Sequence, residues 1–506
     1  MSGAAPARPR LGGRAVLAAV AAGLAVVALL VAVTSDGGGR SITVGQNRFV
    51  NPPGLIDGNN SPSLARNPVR PANVVASYRV DVPAFSAAIS WSNNSGTTWT
   101  QTPLPLPAGR DRPFAPDAAF GPDGTLYVTY VNLEGNGNRP QTLWLASSTD
   151  GGRTLSDPVE VAGRLSFQAR VTVDGAGTVY VTWLAVKDVA PLAIVPGDNP
   201  IVMVRSIDGG RTFSAPVRVS DPARPRVGAA SPVVLGDGSV AVLYEDFKGD
   251  RLDFENLDGP VADEPFALVL TRSTDGGRTF DAGVEVDAGL VVLSRFLAFL
   301  PEFPSVAAGG DDDLYVAWSD GRNGDLDVFL RRSTDGGRSW AEPVQVNANT
   351  RGDGTGQYLP RVAVAPGGRV DVLFLDRSRD PSNVMAHATL ATSGDGGRSF
   401  QAVTLSSKAF DSRVGFAANP RLEPDFGSRL GLSSTDDQAL AAWTDTRFGS
   451  EDTGRQDIAS ARVELAGAGG TDRTGLALLL LLAAVAALGG AFVAARRPPA
   501  GARGKV

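Results

Sequence analysis

Between residues 41 and 465 the apolar side chains fall in short runs broken by Gly, Asp, Asn and Pro, the pattern of strands joined by tight turns. One unit shows the arrangement clearly, with PSVAA at 304–308, LYVAW at 314–318, DVFLR at 327–331 and PVQVN at 343–347 reading as four strands. The second run of each unit carries one aromatic residue, giving the column Tyr78, Tyr130, Trp183, Tyr244, Trp318, Phe374 and Trp443. After the third run comes a recurring turn. It reads Ser92-Asn-Asn-Ser-Gly-Thr-Thr-Trp99 in the first unit and Ser148-Thr-Asp-Gly-Gly-Arg-Thr-Leu155 in the second. Four further copies begin at Ser206, Ser273, Ser333 and Ser393, so successive serines lie 56, 58, 67, 60 and 60 residues apart. Its Asp can accept backbone amides and its Gly pair permits positive φ, which suits a hairpin turn. A fixed turn at that period between strands predicts an all-β propeller.

The number of units follows from the seventh aromatic, which has no turn of its own. Its unit holds QALAAWTD at 438–445 and DIASARVE at 457–464, then lacks a fourth strand. The segment SITVGQNRFV at 41–50 reads as an outer strand and precedes the first unit. Seven blades are therefore expected, with six as the alternative, and the N-terminal strand completes the last blade and covers its open edge.

The flanks are of a different kind. Residues 15–33 form an uninterrupted apolar run after Arg8, Arg10 and Arg14, long enough to span a bilayer, or alternatively to act as a signal peptide. A second run at 475–495 precedes Arg496, Arg497, Arg503 and Lys505. The positive-inside rule places both basic tails in the cytoplasm and the propeller outside. The expected organisation is a basic tail at 1–14, an anchor at 15–34, the propeller at 41–465, a linker at 466–474, a transmembrane helix at 475–495 and a basic tail at 496–506.

Composition narrows the chemistry. With no Cys there are neither disulfides nor thiolate metal sites, and the single His387 rules out multi-histidine metal clusters. A net charge of −6 argues against nucleic acid as a partner. No cofactor is implied; the loop 320–327 and the acidic stretch 246–258 supply hard oxygen ligands of the kind calcium takes, but follow no defined calcium-loop pattern and read first as solvated loop acids.

The six turns resemble the Asp-box, or bacterial neuraminidase repeat, of the sialidase superfamily. The resemblance covers roughly residues 41 to 465 and implies a propeller whose pocket opens on the rim opposite the Asp-boxes. Familiar sialidases have six blades, hold a substrate carboxylate with three arginines and use a Tyr nucleophile. Two polar columns reach that rim in this chain. Two residues after the aromatic stand Val80, Asn132, Ala185, Asp246, Asp320, Asp376 and Asp445, with Arg322, Arg377 and Arg447 close behind several of them. Aligning the first strands gives Ser63, Asp117, Arg170, Pro232, Ser305, Arg361 and Arg429. A guanidinium can give paired hydrogen bonds to a carboxylate, so Arg170, Arg361 and Arg429 are the candidate clamp. Asp246, Asp445, Arg322 and Arg447 are further ligand-binding candidates. Tyr358, which precedes a first strand, is the candidate nucleophile, with Asp320 or Asp376 as the acid. The opposing reading makes each rim Asp a loop cap paired with its own Arg. The family's Arg-Ile-Pro signature is absent, and in PSLARNPVRP at 62–71 the nearest candidate is Arg66. These features predict a membrane-anchored, extracytoplasmic module recognising a carbohydrate or cell-surface protein, with an exo-sialidase-type hydrolase as the alternative.

Overall fold

The structure, a computed structural model, describes residues 41–54, 56–135, 139–187, 189–190, 193–194, 199–249, 264–292, 302–310, 312–415 and 426–466. The apolar runs at 15–33 and 475–495 lie outside these. Among the described residues no helix is long and apolar enough to cross a membrane. One compact unit spans Thr43–Glu464, and Met1–Ile42 with Leu465–Val506 make up a second.

The main unit is a propeller of seven antiparallel blades. Their inner strands, from blade 1 to blade 7, are Asn59–Arg66, Pro113–Phe120, Ser166–Val173, Val227–Val234, Ser305–Gly309, Gln357–Val364 and Gly431–Ser434. In blade 7 the outermost position is taken by Ser41–Val44, beside Asp457–Ala466, and Arg48–Phe49 continues the pairing. The N-terminal segment thus closes the ring as the unfinished last repeat requires.

The aromatic column forms the packing between blades, with all seven members at 4% exposure or less. One hydrophobic cluster runs from Tyr180 through Tyr244 to Trp318, crossing three blades. A second strand is buried on both sides, which is why its sequence is nearly all apolar.

The repeat turns share one rim with the turns that leave the inner strands. Asn73, at the end of the first such turn, donates to Gly151 O at 3.0 Å in the next blade's repeat turn. Within the turn of blade 5, Asp335 Oδ1 accepts the N–H groups of Arg338 and Ser339 at 2.9 and 3.0 Å, while Ser333 Oγ accepts Gly337 N–H at 2.8 Å. In the divergent first turn Asn94 Oδ1 takes the place of the carboxylate and accepts Thr98 N–H at 2.9 Å. The opposite rim carries the starts of the inner strands and the loops after the second strands.

One alignment needs correction. In blades 1, 2, 3, 4 and 6 the inner strand holds a bulge whose residue, Ser61, Ala115, Gln168, Ala229 or Leu359, has φ between 50 and 56°. The bulge sets the register. Ser231, facing Leu243, therefore shares the position of Arg170 and Arg361, and Pro232 does not. In blade 7 that position is Gly431, and Arg429 stands two residues before it.

Candidate functional site: an arginine cluster at the hub

The inner strands begin around the propeller axis, on the rim opposite the repeat turns, and there side chains from distant blades meet. Arg429 of blade 7 donates to Pro116 O of blade 2. Phe303, entering blade 5, donates its N–H to Ser428 O of blade 7 at 3.0 Å. The Arg170 guanidinium of blade 3 lies 4.1 Å from the centre of the Phe303 ring. These contacts cross the axis, so this hub is a floor of side chains.

Arg170, Arg361 and Arg429 converge on it. Burial lowers the pKa of Arg170, with Asp117 opposing that shift. Arg361 is pulled down to about 10, first by burial and then by the nearby Arg170 charge. Arg429 is held well below the ordinary guanidinium value by burial and by repulsion from Arg170, Arg79 and Arg361. Asp117 is the carboxylate set among them. Its Oδ1 stands 3.4 Å from Arg170 Nη1, and its Oδ2 accepts Val171 N–H at 3.2 Å. Arg79 is already matched by Asp81 at 2.5 Å. Arg429 Nε is buried without a hydrogen-bond partner, and the Arg361 side chain has no hydrogen bond or ion pair among the described residues.

Beside the arginines lies an acidic corner. Glu302 Oε1 accepts the Ser319 hydroxyl at 2.8 Å and Leu359 N–H at 3.0 Å. Burial pushes its pKa up to about 7, against those two hydrogen bonds. Glu245 is pushed up to about 8 by burial and by the neighbouring Glu302. Tyr358, which precedes the Leu359 amide held by Glu302, is 3% exposed, and Arg377 stacks on its ring at 4.8 Å. Burial raises the Tyr358 phenol, with the Arg377 charge pulling the other way.

The rim acids are engaged locally. Asp246 meets Arg224 at 2.6 Å, and Asp445 meets Arg447 at 2.5 Å and Trp443 Nε1 at 2.8 Å. Asp320 accepts Trp318 Nε1 at 2.8 Å and pairs with Arg322 at 2.6 Å, and Arg322 also reaches Asp287 at 3.0 Å. Asp376 accepts Ser378 N–H at 2.9 Å and Gln357 Nε2 at 3.3 Å. This column serves as loop caps, and it stands apart from the three arginines. His387 Nδ1 bonds Ser406 Oγ at 2.9 Å, and its pKa is lowered by burial.

Among the described residues no group of three or more His, Asp or Glu is placed to hold a metal ion. In the loop 320–327, Asp325 accepts the N–H groups of Gly352 and Gly354 at 3.2 and 2.7 Å, and Asp327 accepts Asn347 Nδ2 at 2.6 Å. Residues 250–258 of the second acidic stretch lie outside the described residues.

Glu245, Glu302 and Phe303 were not singled out by the sequence reading. The signal for Glu245 was there: the residue just after each aromatic is Arg79, Val131, Leu184, Glu245, Ser319, Leu375 or Thr444, and a charge in that buried column stands out.

No family model matches the chain, and no curated protein matches it. Among solved structures, a protein of unknown function from Dyadobacter fermentans is 12% identical with a TM-score of 0.45, covering 84% of this chain and 99% of that one. A Hadza microbial sialidase is 17% identical with a TM-score of 0.43, covering 80% of this chain and 65% of that one. The phage phi92 endosialidase is 12% identical with a TM-score of 0.48, covering 83% and 69%.

Proposed function

We propose that this propeller recognises an acidic glycan through the carboxylate of one sugar, held by Arg170, Arg361 and Arg429. The supporting observation is a charge imbalance: among the described residues the one carboxylate set among these three guanidinium groups is Asp117, which pairs with Arg170, while Arg429 is buried and the half-buried Arg361 has no ion pair. Gathering like charges away from water is costly, and a bound anion relieves that cost. The apolar runs at 15–33 and 475–495 anchor the chain in a membrane with the propeller on the extracytoplasmic side. The ligand is then a cell-surface or extracellular carbohydrate, alone or carried on a protein.

The test uses the full chain in detergent and N-acetylneuraminic acid as the probe. Calorimetry is expected to show binding that Arg361→Lys weakens by about tenfold or more, because an ammonium cannot reproduce the planar two-point contact. Equal affinity in both proteins would remove the clamp.

A second reading, hydrolysis of an acidic glycoside, is favoured by one observation: Tyr358 lies beside Glu302, a carboxyl able to take or give a proton near neutrality. In that reading Tyr358 is the nucleophile, and Glu302, which accepts the N–H of the next residue at 3.0 Å, is a neighbouring carboxyl beside the rim acids Asp320 and Asp376 as candidates for the acid. Turnover of a generic sialoside that disappears in Tyr358→Phe would support it. Retention without turnover supports recognition alone, which is the expected outcome.

A further inference from the structure

The strand registers bring one residue of each inner strand to a shared position. Blades 3 and 6 place Arg170 and Arg361 there, blades 1, 4 and 5 place Ser63, Ser231 and Ser305, and blade 7 has Gly431. Blade 2 places Asp117, the one carboxylate of the set.

Two of these residues make the same bond to the blade that follows. Ser305 Oγ accepts Val362 N–H at 3.0 Å, next to Arg361, and Asp117 Oδ2 accepts Val171 N–H at 3.2 Å, next to Arg170. A neutral hydroxyl is thus enough to join one blade to the next. In blade 2 a carboxylate stands in its place, and its second oxygen has other partners. Asp117 Oδ1 lies 3.4 Å from Arg170 Nη1 and accepts the Ser63 hydroxyl at 3.2 Å. The carbonyl just before it, Pro116 O, accepts Arg429 Nη2.

The two junctions therefore treat their arginines differently. Arg170 has a resident counter-charge, whereas Arg361 has only the neutral Ser305 at the equivalent place and no ion pair among the described residues. A carboxylate at 8% exposure is costly to keep where a serine would make the blade contact, unless its charge is used. Its use is to fix Arg170.

We infer that Asp117 is the positioning residue of the arginine cluster and sets the charge of the anion the cluster takes. Its side chain holds Arg170, the carbonyl before it holds Arg429, and Arg361 is left as the cation that the ligand's carboxylate meets. A doubly charged anion would bring excess negative charge against Asp117, so the cluster favours a singly charged one. This rests on the anion-binding reading above and narrows its ligand to a monocarboxylate sugar in preference to a sulfate or phosphate.

The experiment is calorimetry on the full chain in detergent, with N-acetylneuraminic acid and inorganic sulfate as the two probes and amide hydrogen exchange at Val171 in the same samples. The native protein is expected to bind the sugar more tightly than sulfate. Asp117→Ser and Asp117→Asn each keep an oxygen for Val171, and each is expected to move the ratio of the two affinities toward sulfate by about tenfold with Val171 still protected. Ser305→Asp gives Arg361 the counter-charge that Arg170 has, and is expected to weaken sugar binding by about the same factor. The two Asp117 variants decide the question if Ser305→Asp does not fold. An unchanged ratio in both of them, or a native protein that binds sulfate as tightly as the sugar, would overturn the inference. Loss of Val171 protection in both would overturn it too, since the carboxylate would then serve the blade contact. If the native protein binds neither probe, the anion reading has failed. The positioning role then stands only if Asp117→Asn lowers the thermal midpoint and adding Ser305→Asp restores it, and equal midpoints overturn it as well.

Discussion

At the scale of single residues, the hub is governed by what burial does to charge. The arginines and the two glutamates are all pushed toward their neutral forms, by burial first and, for Arg361, Arg429 and Glu245, by a like charge nearby. A stability prediction follows from the glutamates, whose ordinary value is 4.5 and whose folded values are about 7 and about 8. Between those limits the folded protein keeps protons that the unfolded chain has released. Their contribution is therefore complete below about pH 4.5 and is lost as the pH rises through 7 and 8. Thermal unfolding midpoints measured from pH 5 to 9 should decline over that window, and Glu245→Gln should flatten the decline. An unchanged slope in the variant would show that other groups set it.

At the scale of elements, the repeat turn and the bulged inner strand divide the work between the two rims. The repeat turn is a closed set of local bonds, and they pull the Asp335 carboxyl down to about 2: the Ser339 and Ser333 hydroxyls and the Arg338 and Ser339 amides together outweigh desolvation, the largest single effect. Asp335→Ala removes that acceptor and should cost roughly 1–2 kcal/mol in chemical denaturation. It should leave affinity for an acidic sugar unaltered, because the turn lies on the far rim. A variant of native stability that no longer binds would reverse the assignment of the two faces. The same carboxylates predict acid sensitivity. Their stabilisation is present above the ordinary value of 3.8 and is lost as the pH falls toward 2, so an acid titration of the native protein should show an unfolding limb that Asp335→Asn shifts.

For the whole molecule, closure of the ring is the feature on which everything else depends. Gly45 N–H reaches Arg462 O at 2.8 Å and Val50 N–H reaches Ile458 O at 2.8 Å, joining the two ends of the propeller in one sheet. Removing residues 41–50 would expose the edge of the Asp457–Ala466 strand. The truncated protein should lose its single cooperative unfolding transition or associate through that edge, as followed by calorimetry and light scattering. Two-state unfolding of a monomeric truncation would show that closure is dispensable. Membrane topology is tested at the same scale: intact cells treated with protease should lose the propeller and keep both basic tails. A mature N-terminus beyond residue 34 would leave a single anchor.

The sequence by itself determined the repeat, the blade number and the strand that completes the ring. Each is written in local chemistry, in the Ser, Asp and Gly of a turn and in one aromatic per second strand, which recur whatever the neighbours are. It also brought forward Arg170, Arg361 and Arg429, because a charge at the start of an inner strand is visible in an alignment of repeats. It could not choose between the two readings of the rim acids. Asp320 and Asp445 are caps because a neighbouring Trp and Arg fold onto them, and only geometry shows that. The register of the inner strands was equally hidden, since a bulge is one residue of positive φ with no fixed side chain to mark it. Tertiary structure alone decided that Phe303 meets Arg170 of blade 3 and Ser428 of blade 7, because contact near the propeller axis joins residues more than a hundred positions apart.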